Sequence, residues 1–346
     1  MMEYSDLITK AANTDDPDVR MSLIVAFGAS QYAAHDGRLS KPFNPLLGET
    51  YELLTPKYRL FAEQVSHHPP ITAIISESDL WNYETDSDAK IVFNGTYVKA
   101  IPNGEQVVRL KNRKEVYVIS RPITFVNNIL FGTMYNEQVG MMRIREKNSG
   151  RVAEIEFKAE GWGGKNKHDI SGYLYPSEEA CKAKERSNTL FYHGKYTQFL
   201  HAWKTDKAGK HGNIGDEPDM KLWEANPRFE RQQFYYNLTK FAMSLNYLPE
   251  TLIGKLPPSD CRFRPDLRAY EEGKMEFAGE EKFRLEEKQR LARRRRAAGE
   301  IPEFEPKYFQ KEFCEDTGLT QYVYGKRRDY WRDRRKGDFA HMEDIY

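Results

Sequence analysis

The sequence predicts an α+β fold, in which N-terminal helices precede a long antiparallel β-region and further helices follow it. Helical spacing of apolar residues begins after Asp16-Pro17. From Tyr58 to about Tyr175, short segments rich in Val, Ile, Tyr and Phe recur at intervals of roughly ten to fifteen residues, separated by Gly, Asn, Asp and Pro. After Pro227 the helical spacing returns. This order of elements is typical of a single sheet-rich domain with helices at both ends.

The first 35 residues predict two helices. Ser5 is a candidate N-cap for a short first helix. Asp16 supplies a cap and Pro17 a first-turn proline for a second helix, whose apolar residues continue through Phe27 toward Tyr32. A turn-rich stretch follows over 35–48.

The β-region contains no helical period between its segments, so we expect consecutive strands to pair antiparallel and to close into a barrel or fold into a sandwich. The candidate strands are 59–65, 71–76, 90–100, 105–111, 115–119, 123–131, 140–145, 151–159 and 169–175, with 189–196 and 220–223 completing the sheet.

Two C-terminal helices are predicted. The segment 229–245 places Phe234, Leu238, Phe241 and Leu245 at helical spacing. A Leu-Pro-Pro break at 256–258 then leads through a loop to a charge-dense helix over about 278–298. We therefore expect one domain with a helical C-terminal cap.

Composition excludes several classes of protein. The chain has 346 residues with 53 basic and 52 acidic side chains, so no overall charge favours nucleic acid. The longest apolar runs, 23–27 and 71–75, are far shorter than the ~18–20 residues that span a bilayer. The N-terminus lacks a signal-peptide pattern, and three widely spaced cysteines fit neither a disulfide framework nor a zinc site. A cytosolic protein with reduced thiols is expected.

The most unusual segment is Glu-Gln-Val-Ser-His-His-Pro-Pro at 63–70. Adjacent His67 and His68 follow a predicted strand, and two prolines are expected to hold the chain extended. In extended backbone the two imidazoles point to opposite sides, so the pair is a poor metal chelate. The histidines either donate to a phosphate, whose charge favours the imidazolium, or bond backbone carbonyls at the strand end.

Two further clusters carry candidate ligands. The segment 41–49, Lys-Pro-Phe-Asn-Pro-Leu-Leu-Gly-Glu, offers Lys41 and Asn44 on a proline-braced loop, which could hold a phosphodiester or be a surface turn. Lys282, Glu286 and Arg290 are spaced i, i+4 and i+8 on one helix face. Such a stripe is either a solvated, ion-paired face or a binding face.

Catalytic motifs are not found. The sequence contains no HExxH, GxSxG, Walker or GxGxxG pattern, and no cofactor or metal site is predicted. The arginine run 293–296 comes without nucleic-acid-binding motifs.

These segments resemble the oxysterol-binding protein-related family. The octapeptide at 63–70 matches the fingerprint of this family, 41–49 matches its second hallmark, and 256–290 is similar to the C-terminal part of its lipid-binding domain. The resemblance implies a large incomplete antiparallel β-barrel that encloses a lipid tunnel. It divides the domain 1–346 into N-terminal helices and entrance loop (1–56), β-barrel (57–226) and C-terminal helical subdomain (227–346).

The resemblance also implies roles for individual residues. His67, His68 and Arg290 are expected to contact the 4-phosphate of phosphatidylinositol 4-phosphate, and Lys41 and Asn44 its glycerol-linked phosphate. Lys282 and Glu286 are expected near the phosphate and the inositol hydroxyls.

The second expected ligand is a sterol, bound in the same tunnel and exclusive of the phosphoinositide. Gln31 and Tyr32 lie in a segment similar to one that contacts the sterol hydroxyl in some family members, although Gln31 also suits a helix surface. Phe43 is expected to line the chamber.

The implied function is exchange of the two lipids between membranes by a cytoplasmic monomer. It would act at contacts of the endoplasmic reticulum with the Golgi or plasma membrane. The alternatives are a phosphoinositide sensor without transfer, phosphatidylserine as the exchanged lipid, and an enzyme that uses the histidines on phosphate. Compared with the family pattern the chain starts within the first matched helix, so a lid segment is expected to be missing.

Overall fold

The computed structural model describes residues 1–39 and 43–346, and Lys41 lies outside the described residues. The α-helices are α1 Asp6–Ala12, α2 Pro17–Ser30, α3 Glu178–Lys182, α4 Lys240–Ser244, α5 Pro265–Glu271, α6 Met275–Ala297 and α7 Tyr330–Lys336. The strands are β1 Thr50–Leu54, β2 Arg59–His67, β3 Pro70–Glu77, β4 Trp81–Asp86, β5 Ala89–Asn94, β6 Tyr97–Pro102, β7 Gln106–Leu110, β8 Glu115–Ile119, β9 Ile123–Asn127, β10 Tyr135–Glu146, β11 Val152–Phe157, β12 Asp169–Tyr175, β13 Leu190–Lys195, β14 Phe199–Lys204, β15 Met220–Glu224, β16 Phe309–Cys314 and β17 Leu319–Tyr324.

The N-terminal helices begin where the sequence predicts. Asp16 precedes α2, and its side chain accepts hydrogen bonds from the backbone N–H groups of Asp18 and Val19 at 2.8 and 3.1 Å. Pro17 occupies the first helical position. Ser5 precedes α1, but its side chain makes no capping hydrogen bond. The predicted cap of α2 by Asp16 is therefore confirmed, whereas Ser5 precedes α1 without capping it through its side chain.

The predicted strands are largely present, with two corrections. Segment 90–100 is a hairpin of β5 and β6 rather than one strand, because Gly95 adopts φ +59° and reverses the chain. Strand β9 ends at Asn127, before Asn128 with φ +60°. Strands β1, β4, β14, β16 and β17 were not predicted.

The predicted helix over 229–245 is wrong. Only a 3-10 turn, Gln232–Tyr235, and the short α4 form there, because Tyr236 and Asn237 take left-handed backbone conformations that interrupt a helix. By contrast, α6 confirms the charge-dense helix. The C-terminal region is also not purely helical, since β16 and β17 form a hairpin within it.

The described residues group into two compact units. Unit 1 comprises 1–39, Ser78–Tyr83 and Ala89–Ala242, and unit 2 comprises 43–77, Glu84–Asp88 and Met243–Tyr346. The expectation of one domain stays a prediction.

Unit 1 contains most of the sheet. Its strands pair antiparallel in the order β7-β8-β10-β11-β12-β13-β14-β15, and β5, β6 and β9 extend from β10. A Cβ atom on Gly172 would lie 1.9 Å from the carbonyl oxygen of Glu154 on β11, so only glycine allows this close approach. Helix α2 is joined to the sheet by a bidentate Arg20–Glu115 ion pair and by the hydrogen bond between Ser22 and the Tyr192 hydroxyl.

Unit 2 contains the antiparallel strands β1-β2-β3, the β16–β17 hairpin and helices α5 to α7. The buried Phe61 ring of β2 stacks on the Tyr330 ring of α7 at 4.0 Å and on Phe309 of β16 at 6.0 Å. The buried Glu63 carboxylate accepts the backbone N–H groups of Lys307 and Tyr308. These contacts hold β2 against the C-terminal segments and so set the position of the loop that follows it.

No helix in the described part of the chain has the length and apolar character needed to cross a membrane.

Candidate functional site

The histidine pair lies at the tip of the β2–β3 hairpin. The register shifts between Gln64 and Ser66, so Val65 is an extra residue that forms a β-bulge, and the pairing then continues to His67 opposite Pro70. His68 and Pro69 form the turn, and their peptide bond is cis. The chain thus reverses at His68 and Pro69, where it was expected to stay extended, and Pro70 begins strand β3.

The reversal brings the two imidazoles together. The ring centroids of His67 and His68 are 4.5 Å apart with an interplanar angle of 66°, and both rings line one cleft. The expectation that they point to opposite sides is therefore wrong, because His68 lies in the turn and not in the strand. Half-buried His67 and exposed His68 thus line the same space.

Helix α6 supplies the second wall of the cleft. Glu286 accepts ion pairs from Lys282 at 3.4 Å and from Arg290 at 3.0 Å, so the predicted i, i+4, i+8 stripe is present. Arg290 also bonds Glu287. Glu286 and Arg290 line the cleft, whereas Lys282 places its ammonium 5.5 Å from the centre of the Phe43 ring and is not part of the lining.

Gln289 of helix α6 contacts the two other walls of the cleft, which are the histidine turn and the loop 43–49. Its Oε1 accepts the backbone N–H of Leu47 at 2.8 Å, and its Nε2 lies 2.7 Å from Nε2 of His67. Since the first bond fixes the amide orientation, the amide nitrogen donates to His67, whose Nε2 must then be an unprotonated acceptor. The free chain thereby holds His67 neutral and in one orientation.

The direction of the shift in the pKa of His67 agrees with a neutral imidazole. The pKa of His67 is lowered from its usual value, first because burial disfavours the charged imidazolium and then because the neighbouring His68 and Arg293 disfavour a positive charge there. The Pro45 carbonyl and Glu286 act in the opposite direction.

The loop 43–49 forms the third wall and is held by Arg264. The guanidinium of this buried arginine donates to the Asn44 carbonyl at 2.7 Å and to Glu49 Oε2 at 2.9 Å, and it pairs with Asp266. Glu49 also accepts the N–H of Leu46. Because its backbone is fixed in this way, the exposed Asn44 is presented to the cleft.

Together these elements enclose a cleft of about 330 Å³ within unit 2. Its lining residues are Asn44, Leu46, His67, His68, Arg264, Glu286, Gln289, Arg290 and Arg293. The cleft therefore brings together five of the seven predicted headgroup residues: Asn44, His67, His68, Glu286 and Arg290.

Apart from the apolar Leu46, three residues of the cleft were not predicted: Arg264, Gln289 and Arg293. A sequence signal existed for two of them, because Gln289 and Arg293 follow Glu286 at i+3 and i+7 on the same helix face. No local signal marks Arg264, which contacts a loop 220 positions away.

The predicted sterol residues have different surroundings. In unit 1, the buried Gln31 and Gln106 exchange two amide hydrogen bonds of 2.8 Å, so Gln31 is not a helix-surface residue. Tyr32 packs edge-to-face on Phe157 at 5.4 Å. Phe43 belongs to unit 2, where its ring packs on Tyr270 at 6.0 Å.

Comparison with known proteins gives a consistent result. The family model described as "Oxysterol-binding protein" matches residues 1–335. Oxysterol-binding protein homolog 2 of Saccharomyces cerevisiae is 35% identical over 100% of this chain and 27% of that protein. Oxysterol-binding protein-related protein 2 of Mus musculus is 34% identical over 100% of this chain and 77% of that protein. The chain spans 27% to 39% of the first five relatives, so it corresponds to only part of those proteins.

Two solved structures share the fold. The Osh1 ORD domain in complex with cholesterol matches with a TM-score of 0.86 and 33% identity, covering 100% of this chain and 82% of that one. The Osh3 ORD of Saccharomyces cerevisiae in complex with PI(4)P matches with a TM-score of 0.82 and 30% identity, covering 100% and 86%. The α+β class, with a large antiparallel sheet, N-terminal helices and a C-terminal helix, is thus confirmed. By sequence and by fold, the chain belongs to the oxysterol-binding protein family.

Proposed function

We propose that the chain binds the headgroup of phosphatidylinositol 4-phosphate in the cleft of unit 2, binds sterol as an alternative ligand, and exchanges the two lipids between membranes. The observation that carries the headgroup assignment is the convergence of His67, His68, Arg290 and Asn44 on one cleft. These side chains offer hydrogen-bond donors, and among the described residues that line the cleft the single carboxylate is that of Glu286. A phosphate monoester is the group that this set of donors suits best.

The cleft also suits the sugar of the headgroup. Glu286 already accepts from Lys282 and Arg290, and its carboxylate retains acceptor capacity for an inositol hydroxyl. Arg290 is free to turn from Glu287 toward a phosphate, because both residues are substantially exposed. Phosphate binding would replace the Gln289 amide at His67 with a negatively charged acceptor, which favours the imidazolium.

The relatives support both ligands. An Osh1 ORD domain was crystallised with cholesterol or ergosterol, and an Osh3 ORD with PI(4)P. The full length of this chain matches each of these domains. Gln31 and Tyr32 are the residues that we assign to sterol contact.

A liposome assay tests the headgroup assignment. We expect that His67→Ala with His68→Ala abolishes extraction of phosphatidylinositol 4-phosphate, since each lost charge-assisted bond costs about 1.5–3 kcal/mol. The melting temperature should change by only a few degrees, because the turn is at the surface. Normal extraction by the folded double variant would rule out this cleft as the headgroup site.

A second assay separates transfer from binding. Donor liposomes containing sterol and acceptor liposomes containing phosphatidylinositol 4-phosphate should exchange lipids in the presence of the wild-type chain. The phosphoinositide should displace bound sterol in native mass spectra. Headgroup binding without movement of either lipid would favour a sensor, and co-purified phosphatidylserine would identify a different exchange partner.

A further inference from the structure

Behind the histidine turn lies a second cleft of about 340 Å³, also within unit 2. It shares His67, His68, Gln289 and Arg293 with the headgroup cleft and adds Ser66 and Arg296. The histidine turn therefore separates two adjacent spaces and presents polar groups to both.

The arginines of α6 differ in whether they form an ion pair. Arg284 is paired with Glu281, Arg290 with Glu286, and Arg295 with Glu300. Within the described residues, Arg293 and Arg296 form no ion pair. Helix α6 thus pairs Arg290, which lines the headgroup cleft, with its own glutamates. Arg293 and Arg296 have no such partner among the described residues.

Arg296 is held in place without an anionic partner. Its guanidinium lies 5.9 Å from the centre of the Phe304 ring, and its Nε is buried with no hydrogen-bond acceptor among the described residues. Glu303 is the acidic residue of this lining and forms no ion pair with Arg293 or Arg296. A buried donor without an acceptor is costly, and an oxyanion bound in this cleft would supply an acceptor.

We propose that this second cleft is a phosphate-binding site, contiguous with the headgroup cleft, in which Arg296, Arg293 and the Ser66 hydroxyl are the donors. The proposal rests on the proposed headgroup site, because the two clefts share the histidines. Its phosphate is either a second phosphate of the same inositol ring or a separate ion from solution. Arg293 lines both clefts and should contribute to both, whereas Arg296 lines the second cleft and not the headgroup cleft.

Isothermal titration with soluble ligands tests the proposal. The probes are inositol 1,4-bisphosphate, inositol 1,4,5-trisphosphate and inorganic phosphate, and the variant is Arg296→Gln. The matched control is Arg295→Gln, since Arg295 is the preceding arginine of the same helix, lines neither cleft and is paired with Glu300. We expect the wild type and the control to bind the trisphosphate about tenfold more tightly than the bisphosphate, and Arg296→Gln to lose this difference.

The remaining outcomes are also distinguishable. If inorganic phosphate binds to the wild type saturated with bisphosphate but not to saturated Arg296→Gln, the site exists and takes a separate ion. If Arg296→Gln and Arg295→Gln behave alike with all three probes, the second site is excluded while the headgroup assignment stands. If Arg290→Ala binds the bisphosphate as tightly as the wild type, the headgroup assignment itself fails.

Discussion

Gln289 controls the protonation of His67 at the scale of single residues. Its amide nitrogen donates to Nε2 of His67 and so stabilises the neutral imidazole. We predict that the pKa of His67 rises in Gln289→Ala, because this donor is lost, and rises further in Gln289→Glu, because a carboxylate favours the imidazolium. NMR titration of the histidine ring signals measures both shifts. A His67 pKa that stays the same in all three proteins would contradict the proposed hydrogen bond.

Arg290 and Arg294 provide a matched pair of charges one helical turn apart. Arg290 lines the headgroup cleft, whereas Arg294 lines neither cleft. We predict that Arg290→Ala weakens binding of inositol 1,4-bisphosphate by about tenfold or more, whereas Arg294→Ala changes it little. Equal losses that disappear together at high salt would indicate nonspecific attraction instead of a specific contact.

At the scale of elements, the β2–β3 hairpin depends on aromatic packing against the C-terminal segments. Phe61 is fully buried and stacks on Tyr330. We predict that Phe61→Ala lowers the free energy of unfolding by about 3–5 kcal/mol, because it leaves a cavity in this cluster. The control Phe313→Ala removes the same ring from an exposed position on β16 and should change stability by less than about 0.5 kcal/mol. Chemical denaturation measures both, and a small loss for Phe61→Ala would show that the hairpin does not depend on this contact.

The helices and strands also show which features of the fold a local sequence pattern can predict. Helices α2 and α6 and strands β8 and β12 were predicted because their caps, charge spacing or alternation lie within the segment itself. The helix expected over 229–245 failed although its apolar spacing is regular. Left-handed residues at 236–237 break the backbone there, and apolar spacing carries no information about them.

At the scale of the whole molecule, Glu63 couples folding to pH. Burial raises the pKa of its carboxyl to about 7, although backbone N–H groups of Lys307 and Tyr308 partly oppose this shift. The folded state then binds the proton more tightly than the unfolded state, whose glutamate titrates near ~4.3. Between these two values the folded chain carries more protons, so the contribution of Glu63 to stability falls as the pH rises through about 7 and changes little above it.

We predict that Glu63→Gln removes this component. The free energy of unfolding of the wild type, measured by denaturation from pH 5 to pH 8, should decline more steeply with rising pH than that of the variant. The absolute stability of the variant is not the readout, because glutamine alters the backbone hydrogen bonds as well. Parallel pH profiles of the two proteins would show that Glu63 titrates in its ordinary range.

Family membership and most of the polar residues of the cleft could be read from the sequence, because the segments 41–49 and 63–70 and the 282–290 stripe are contiguous patterns. The order of helices and strands was also largely predictable, since alternation and capping are local. Tertiary structure alone decided that His67 and His68 line one cleft, that Gln289 bonds a histidine 222 positions away, and that Nε of Arg296 has no hydrogen-bond partner among the described residues. The physical reason is that short patterns specify backbone conformation, whereas the partner of a side chain depends on which distant segments pack together.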